Sequence, residues 1–212
     1  MSDSDKSPRY NALLFLGAPG SGKGTQGRVL GTVPRFHHCA CGDVFRSLDT
    51  RTELGREFIE YSSRGELVPD ELTVRLWSES IQAKVKTSEF KPDIDFLVLD
   101  GIPRNLAQAK LLDEHIKVHQ VFHLACPDRE ELARRLRKRA LKDNRIDDAN
   151  DEVIKHRIAT YITETKAVVE YYSPEILSNI NAQQHPLKVL QDIIYAITSL
   201  PVWLESQDKV LF

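Results

Sequence analysis

Cysteine is scarce in this 212-residue chain, which has only Cys39, Cys41 and Cys126. Three is an odd number and too few for the disulfide framework of a secreted scaffold. Cys39 and Cys41 stand too close together for a Cys-x2-Cys knuckle, and no second pair exists to complete a zinc site. The expectation is free thiols in a reducing compartment and no structural zinc. Long apolar runs are also missing, since no stretch approaches membrane-spanning length. The opening segment, Met1 to Pro8, is polar and acidic, unlike a secretory or transit leader, and Ser2 excludes the myristoylation pattern. Charge of one sign is absent too: 29 Lys and Arg face 31 Asp and Glu, for a formal net charge of −2. That balance does not suggest a nucleic-acid binder, so any basic site has to be local. Internal repeats and low-complexity tracts are lacking. These absences point to a cytoplasmic protein without a nucleic-acid or membrane partner. An apolar share of 41% over this length suits a globular core of one domain or little more.

What is present is concentrated in Gly17-Ala18-Pro19-Gly20-Ser21-Gly22-Lys23-Gly24-Thr25. The apolar run Tyr10 to Leu16 ahead of it reads as a buried strand, and Gln26 to Leu30 behind it as the first turns of a helix. Strand, glycine-rich loop and helix in that order form the context of a phosphate-binding loop. Gly17, Gly20, Gly22 and Gly24 permit positive φ and close backbone approach, so successive N–H groups can line one concavity. The helix N-terminus adds partial positive charge, and Lys23 supplies a mobile full charge for the outer phosphates. The strict pattern has Ser or Thr directly after the lysine; here Gly24 occupies that place and Thr25 follows. The loop reads as a nucleotide-phosphate site.

Further along, Phe36 to Ala40 is a short strand. His37 and His38 are neighbours on it and face opposite ways, which disfavours a shared metal. Helices are expected from Val44 to about Asp49 and from Leu54 to Ser63, the second stopped at Gly65. Glu66 to Pro69 is extended. A helix then runs from Pro69 to about Lys86 with Asp70 as its cap. Asp95 to Asp100 is the clearest buried strand, and its terminal Asp100 beside Gly101 is placed to hold Mg²⁺ through water. A turn at 102–104, a helix over 105–115 and a strand over 118–126 follow. Asp128 and Glu131 suggest a capping box for a helix reaching about Leu141, whose Arg134, Arg135, Arg137 and Lys138 read mostly as a solvated face. A polar loop spans 143–150, then a long helix 152–172, a strand 176–182 and a closing helix 186–200. The apolar tail, 201–212, has no evident packing partner. Alternating strands and helices imply an α/β architecture, a mostly parallel sheet covered on both faces, with ligands beyond the carboxyl ends of the strands.

Four islands, Gly17 to Gln26, Cys41 to Arg46, Asp100 to Gln108, and Arg145 to Asp148 with Arg157, together resemble the nucleoside monophosphate kinases, most closely the adenylate kinase family of the short-lid type. The likeness runs from about residue 12 to 200. It implies a P-loop NTPase-type three-layer fold whose five-stranded parallel sheet carries helices on both faces. The whole chain, 1–212, would be one domain with a monophosphate-binding insert at about 40–69 and a short lid at about 138–148. The implied activity is reversible, Mg²⁺-dependent transfer of the ATP γ-phosphoryl group to AMP, giving two ADP, by a monomer.

Carried over by position, Gly20, Ser21, Gly22, Lys23, Gly24 and Thr25 would hold the ATP phosphates, with Arg139 and Gln184 also on the ATP side. Arg46 and Arg104 would grip the AMP phosphate and Gln108 would meet the adenine edge. Cys41, Glu66, Leu67, Val68, Gly101, Ile102 and Pro103 would line the AMP pocket. Lys23, Arg104, Arg139, Arg145 and Arg157 would be catalytic, the last two also touching AMP. Phosphoryl transfer between two anionic nucleotides needs charge neutralisation and in-line positioning more than covalent chemistry, and arginine forks suit that task. Three positions depart from the family pattern. Cys41 stands where a hydroxyl residue is usual, Ile102 where phenylalanine is usual, and Gln184 where glycine is common. Asn105 resembles the pyrimidine branch, so a UMP/CMP kinase is the nearest alternative. A non-catalytic nucleotide-sensing module is the other.

Overall fold

Residues 9–143, 148 and 150–207 are described by the structure, a computed structural model. Strands β1 (Tyr10–Leu16), β2 (Phe36–Ala40), β3 (Phe96–Asp100), β4 (Ile116–Ala125) and β5 (Leu177–Asn181) form one sheet. The helices are α1 (Lys23–Leu30), α2 (Cys41–Arg46), α3 (Glu53–Arg64), α4 (Asp70–Lys86), α5 (Leu106–Leu112), α6 (Arg129–Asp143), α7 (Asp151–Thr160), α8 (Lys166–Tyr171), α9 (Pro186–Thr198) and α10 (Pro201–Gln207). The sheet order is β2-β3-β1-β4-β5 and every pairing is parallel. This is the three-layer architecture expected from the alternation of strands and helices.

Because successive strand residues point to opposite faces, each strand contributes to two cores. Ala12, Leu14, Leu16, Leu97 and Leu99 pack with Trp77 and Ile81 of α4, Ala109 and Leu112 of α5 and Val168 of α8. Leu13, Phe15, Val98 and Phe122 face the other way, onto Leu30 of α1 and Val189, Ile193 and Ile197 of α9. A smaller cluster under the glycine loop joins Ala18 to Leu132 and Leu136 of α6 and Ile154 and Ile158 of α7. The register aligns Phe15 and Ala40 with Asp100, so β1, β2 and β3 end level with one another beside the loop.

Several element boundaries differ from those expected. Helix α1 starts at Lys23 rather than Gln26, because Gly22 sits in the left-handed region (φ 100°) and turns the chain straight into the helix. Asp70 is not the cap of α4: Pro69 occupies that position, and the Asp70 carboxylate instead accepts hydrogen bonds from Asn105 and Gln108. The capping box at α6 is half made. Asp128 accepts from the N–H groups of Glu130 and Glu131, while the Glu131 carboxylate pairs with Arg134 and Arg135. Helix α5 stops at Leu112, and β4 begins at Ile116, where it pairs with Tyr10. The expected helix 152–172 starts at Asp151, capped by Asn150, and is interrupted by a π-helical turn, Tyr161–Thr165. The described part of the tail, 201–207, does find a partner, while 208–212 lie outside the described residues. Trp203 of α10 stacks on Phe36 with ring centroids 5.3 Å apart, extending the second core past the edge of the sheet. The lid expected at about 138–148 falls partly outside the described residues.

His37 and His38 diverge as adjacent strand residues should. The His37 ring lies 5.5 Å from that of Phe90, whereas His38 Nε2 points to Asp100 Oδ2, 3.9 Å away. Space for His38 comes from two glycines on α1. A Cβ added at Gly27 would lie 2.4 Å from His38 Nε2, and one at Gly31 2.7 Å from His38 Cβ. The helix that carries Lys23 can therefore sit close to β2. Gly27→Ala is expected to lower the unfolding free energy by about 1–3 kcal/mol, the usual cost of overpacking, despite the better helix propensity of alanine. Urea denaturation of the variant against the parent protein checks this.

Candidate active site

The loop between β1 and α1 is shaped by glycines at Gly17 and Gly20, with φ of 146° and 85°. A side chain at Gly17 would meet Leu124 O at 2.7 Å, and one at Gly20 would meet Leu132 O at 2.9 Å, so neither position has room for a Cβ. Gly24, expected to share the positive-φ role, is instead helical and serves by its smallness. Its Cβ would approach Asp100 Oδ2 to 3.1 Å. Within the loop, Lys23 Nζ donates to Gly17 O at 2.7 Å and Ala18 O at 3.1 Å. Ser21 is buried and its Oγ has no hydrogen-bond partner among the described residues, which leaves a polar atom for a ligand to satisfy.

A cavity of about 660 Å³ opens over the loop at the carboxyl ends of the strands. It collects most of the residues singled out from the sequence. Gly20 to Thr25, Arg139 and Gln184 line it, as do Cys41, Arg46, Glu66, Leu67 and Val68, and so do Asp100, Gly101, Pro103, Arg104, Gln108 and Arg157. Ile102 does not; its side chain is wholly buried in the first core, where it stands in place of the phenylalanine usual in the family. Arg145 lies outside the described residues.

The arginines are held by specific acceptors. Arg104 Nε donates to Gly101 O at 2.8 Å, and the Arg104 carbonyl accepts from Thr165 Oγ1 at 2.7 Å, which ties the β3–α5 turn to the π-helical turn. Arg46 pairs with Asp43 one helical turn earlier on α2. Asp148, 1% exposed, accepts from Arg139 Nε at 2.6 Å and from Arg157 Nη1 at 2.5 Å, joining α6 to α7 across the cavity mouth. Gln184 Nε2 donates to Asp192 of α9 at 2.6 Å. Cys41 is buried, and burial pushes its thiol up to about 11 although Arg104 and Arg46 pull it down, so it is a neutral lining group rather than a nucleophile.

Sequence reasoning missed part of the site. Arg134, Arg135, Lys138 and Lys142 line the cavity with Arg139, and Arg135 Nη1 donates to Ala182 O at 2.9 Å. The signal was available in their spacing: Glu131, Arg135, Lys138 and Lys142 recur every three or four residues and so share one helix face, with Arg139 beside it. The service of Asp70 and Asp148 as anchors had no such local signal.

Electrostatics follow from this crowding. Burial, with Arg139, Arg104 and Arg157 adding repulsion against the pull of Asp100, lowers Lys23 to about 8. Burial alone would raise the Asp100 carboxyl, but His38, Lys23 and Arg104 outweigh it and hold Asp100 below its ordinary value, ionised at neutral pH. A polyphosphate entering the loop favours charged Lys23, so its binding draws a proton wherever the empty site holds the amine neutral. At about pH 9, ATP binding is expected to take up as much as about one proton per site, falling towards zero below about pH 7. Calorimetry in buffers of different ionisation enthalpy measures this uptake, and Lys23→Met should abolish it.

Comparison with known proteins adds to this geometry. The family model described as Adenylate kinase matches residues 15–177. A protein named adenylate kinase from Thermobifida fusca is 38% identical over 194 residues, covering 88% of this chain and 98% of its own. One of the same name from Dehalococcoides mccartyi is 35% identical, covering 89% of this chain and 98% of its own. Another, from Leptospira biflexa, is 34% identical over 87% of this chain and 98% of its own. With matches spanning nearly the full length of these relatives, on an all-parallel five-stranded sheet with its phosphate loop, the chain belongs to the adenylate kinase family of nucleoside monophosphate kinases.

Proposed function

We propose that this protein catalyses the reversible, Mg²⁺-dependent transfer of the γ-phosphoryl group of ATP to AMP, giving two ADP, as a cytoplasmic monomer that balances adenine nucleotides. The observation that supports the reading is that one cavity is lined both by the glycine loop with Lys23 and by Arg46 with Arg104, two sets of groups suited to anions on different segments. An ATPase or a nucleotide switch needs only the first. A transferase between two nucleotides needs both.

In this reading Gly20 to Thr25, Arg139 and Gln184 take ATP. The segment 40–69, which includes α2 and α3, is the monophosphate-binding insert. Cys41, Arg46, Glu66 to Val68, Gly101 to Arg104 and Gln108 take AMP, with Ile102 contributing through its backbone. Lys23, Arg104, Arg139, Arg157 and Arg145 neutralise the charge that spreads over the phosphoryl oxygens during transfer. The attacking AMP phosphate is already ionised, so no general base is called for. The buried Asp148 keeps two of these arginines aimed, accepting from Nε of Arg139 and from Nη1 of Arg157.

For magnesium, the ionised Asp100 beside the loop and the exposed Thr25 on the first turn of α1 are suitable hard oxygen donors. Magnesium in such sites takes one or two protein oxygens and completes its shell with water and phosphate. When bound with ATP it would screen the phosphate charges that the arginines also face. Where the strict phosphate-loop pattern has Ser or Thr, Gly24 leaves room for Asp100, whose Oδ2 would lie 3.1 Å from a Cβ at that position. The pyrimidine alternative rests on Asn105, which does not line the cavity, whereas Gln108 does; Asn105 Oδ1 accepts from the N–H of Gln108 and its Nδ2 donates to Asp70.

The test is Mg²⁺- and ATP-dependent phosphorylation of AMP, CMP, UMP and GMP with separation of the products. Preference for AMP is the expected result. Preference for UMP or CMP would move the protein to the pyrimidine branch, and ATP binding without transfer to any acceptor would favour a sensing module. Lys23→Ala and Arg104→Ala are each expected to lower kcat by about 10²-fold or more, the scale for loss of one preorganised transition-state donor. Near-normal turnover in both would overturn the site assignment.

A further inference from the structure

Gln108 is 1% exposed on the cavity wall, and both ends of its amide are already engaged. The N–H of Arg104 donates to Gln108 Oε1 at 2.9 Å, and Gln108 Nε2 donates to Asp70 Oδ1 at 2.8 Å. A backbone N–H can only donate and a carboxylate can only accept, so chemistry leaves one orientation for this amide. The same argument orients Asn105. The N–H of Gln108 donates to Asn105 Oδ1 at 2.8 Å, and Asn105 Nδ2 donates to Asp70 Oδ1 at 2.8 Å. Asp70, the first residue of α4, thus collects both amides of α5 and its cap on one carboxylate oxygen. Turning the Gln108 amide over would set Oε1 against that carboxylate and Nε2 against an N–H, leaving two buried polar groups opposed to like partners.

So held, the amide keeps one further N–H and one further lone pair. An adenine edge presents an acceptor, N1, beside an amino donor at C6, which complements that pair. A hypoxanthine edge presents the reverse, a donor at N1 beside an oxygen acceptor, and so do guanine and uracil. We propose that Asp70 is a specificity-determining residue that acts through Gln108, locking its amide in the orientation that accepts amino-bearing bases and rejects oxo-bearing ones. The inference rests on the AMP-acceptor reading above. It goes beyond it by naming what selects the base: a carboxylate on another helix joins the N–H of Arg104 in fixing which way the amide reads. Asparagine at position 70 can present either its oxygen or its N–H₂ to Gln108, so Asp70→Asn removes the carboxylate half of the lock at nearly constant size and leaves the N–H of Arg104 as the other half.

The experiment compares kcat/KM for AMP with that for IMP, which has the shape of AMP with the donor–acceptor pattern reversed. In the parent protein AMP should be preferred, and in Asp70→Asn the AMP-to-IMP ratio should fall about tenfold or more, within the range that one bidentate amide–base contact discriminates. Gln108→Ala should flatten the ratio, and adding Asp70→Asn to it should change the ratio no further. A ratio unchanged in Asp70→Asn, with both acceptors weakened alike, would overturn the lock and leave Asp70 a structural tie. If Asp70→Asn does not fold, equilibrium binding of AMP and IMP to Asp70→Ser decides the same point, with an unchanged affinity ratio overturning the proposal. Failure of the parent protein to phosphorylate AMP would remove the functional reading before any variant is measured, and this inference with it. An AMP-specific parent with an unaltered Asp70→Asn ratio removes the inference alone.

Discussion

Like charges do not gather in a cavity unless something holds them there, and this cavity brings Lys23, Arg46, Arg104, Arg139 and Arg157 around one space. Their mutual repulsion is visible in Lys23, lowered to about 8 by burial and by three of these arginines. A few anions restrain the set. Asp148 fastens Arg139 and Arg157, Asp43 pairs with Arg46, and Asp100 faces Lys23 from the end of β3. Among the described residues the cavity lining carries more cationic than anionic side chains, a surplus that phosphates would satisfy in the proposed reading. Preorganised charge of this kind costs no rearrangement at the moment of transfer, which is where electrostatic catalysis gains its advantage.

The sheet exists, in functional terms, to hold those anions and cations at fixed separations. Parallel strands ending level bring the glycine loop, Cys41 and Asp100 to the same edge of the molecule. Close packing of α1 on β2, permitted by Gly27 and Gly31, places Lys23 at that edge too. On the other side of the loop, α6 and α7 share a small apolar cluster with Ala18, so the helices that bear Arg139 and Arg157 are anchored to the loop they serve. The site is therefore a property of the packing of several elements rather than of any one segment.

Much of this was legible in order along the chain. The apolar run Tyr10 to Leu16, the glycine loop and the run ending in Asp100 carry strong local patterns, because buried strands and phosphate loops are built from neighbouring residues. Boundaries were less legible where a distant group intervened. Asp70 has the chemistry of a helix cap, yet two amides 35 and 38 residues away claim its carboxylate. Glu131 has the spacing of a capping box, yet Arg134 and Arg135 offer it a charged partner. In both cases a charge-assisted or multiple contact outcompetes a single backbone hydrogen bond. The break in the helix at Tyr161–Thr165 occurs where Thr165 bonds to the carbonyl of Arg104, a contact no periodicity could reveal.

By itself, then, the sequence determined the elements, their alternation, the phosphate loop and the supply of arginines, since each depends on residues within a turn or a strand of one another. Tertiary structure alone decided which arginines face the cavity, that Asp148 holds two of them, that Ile102 belongs to the core and that Trp203 closes the sheet edge on Phe36. It also decided which way Gln108 turns its amide. Those outcomes depend on groups far apart in the chain competing for the same hydrogen bonds and the same buried space, and only the folded arrangement sets which of them meet.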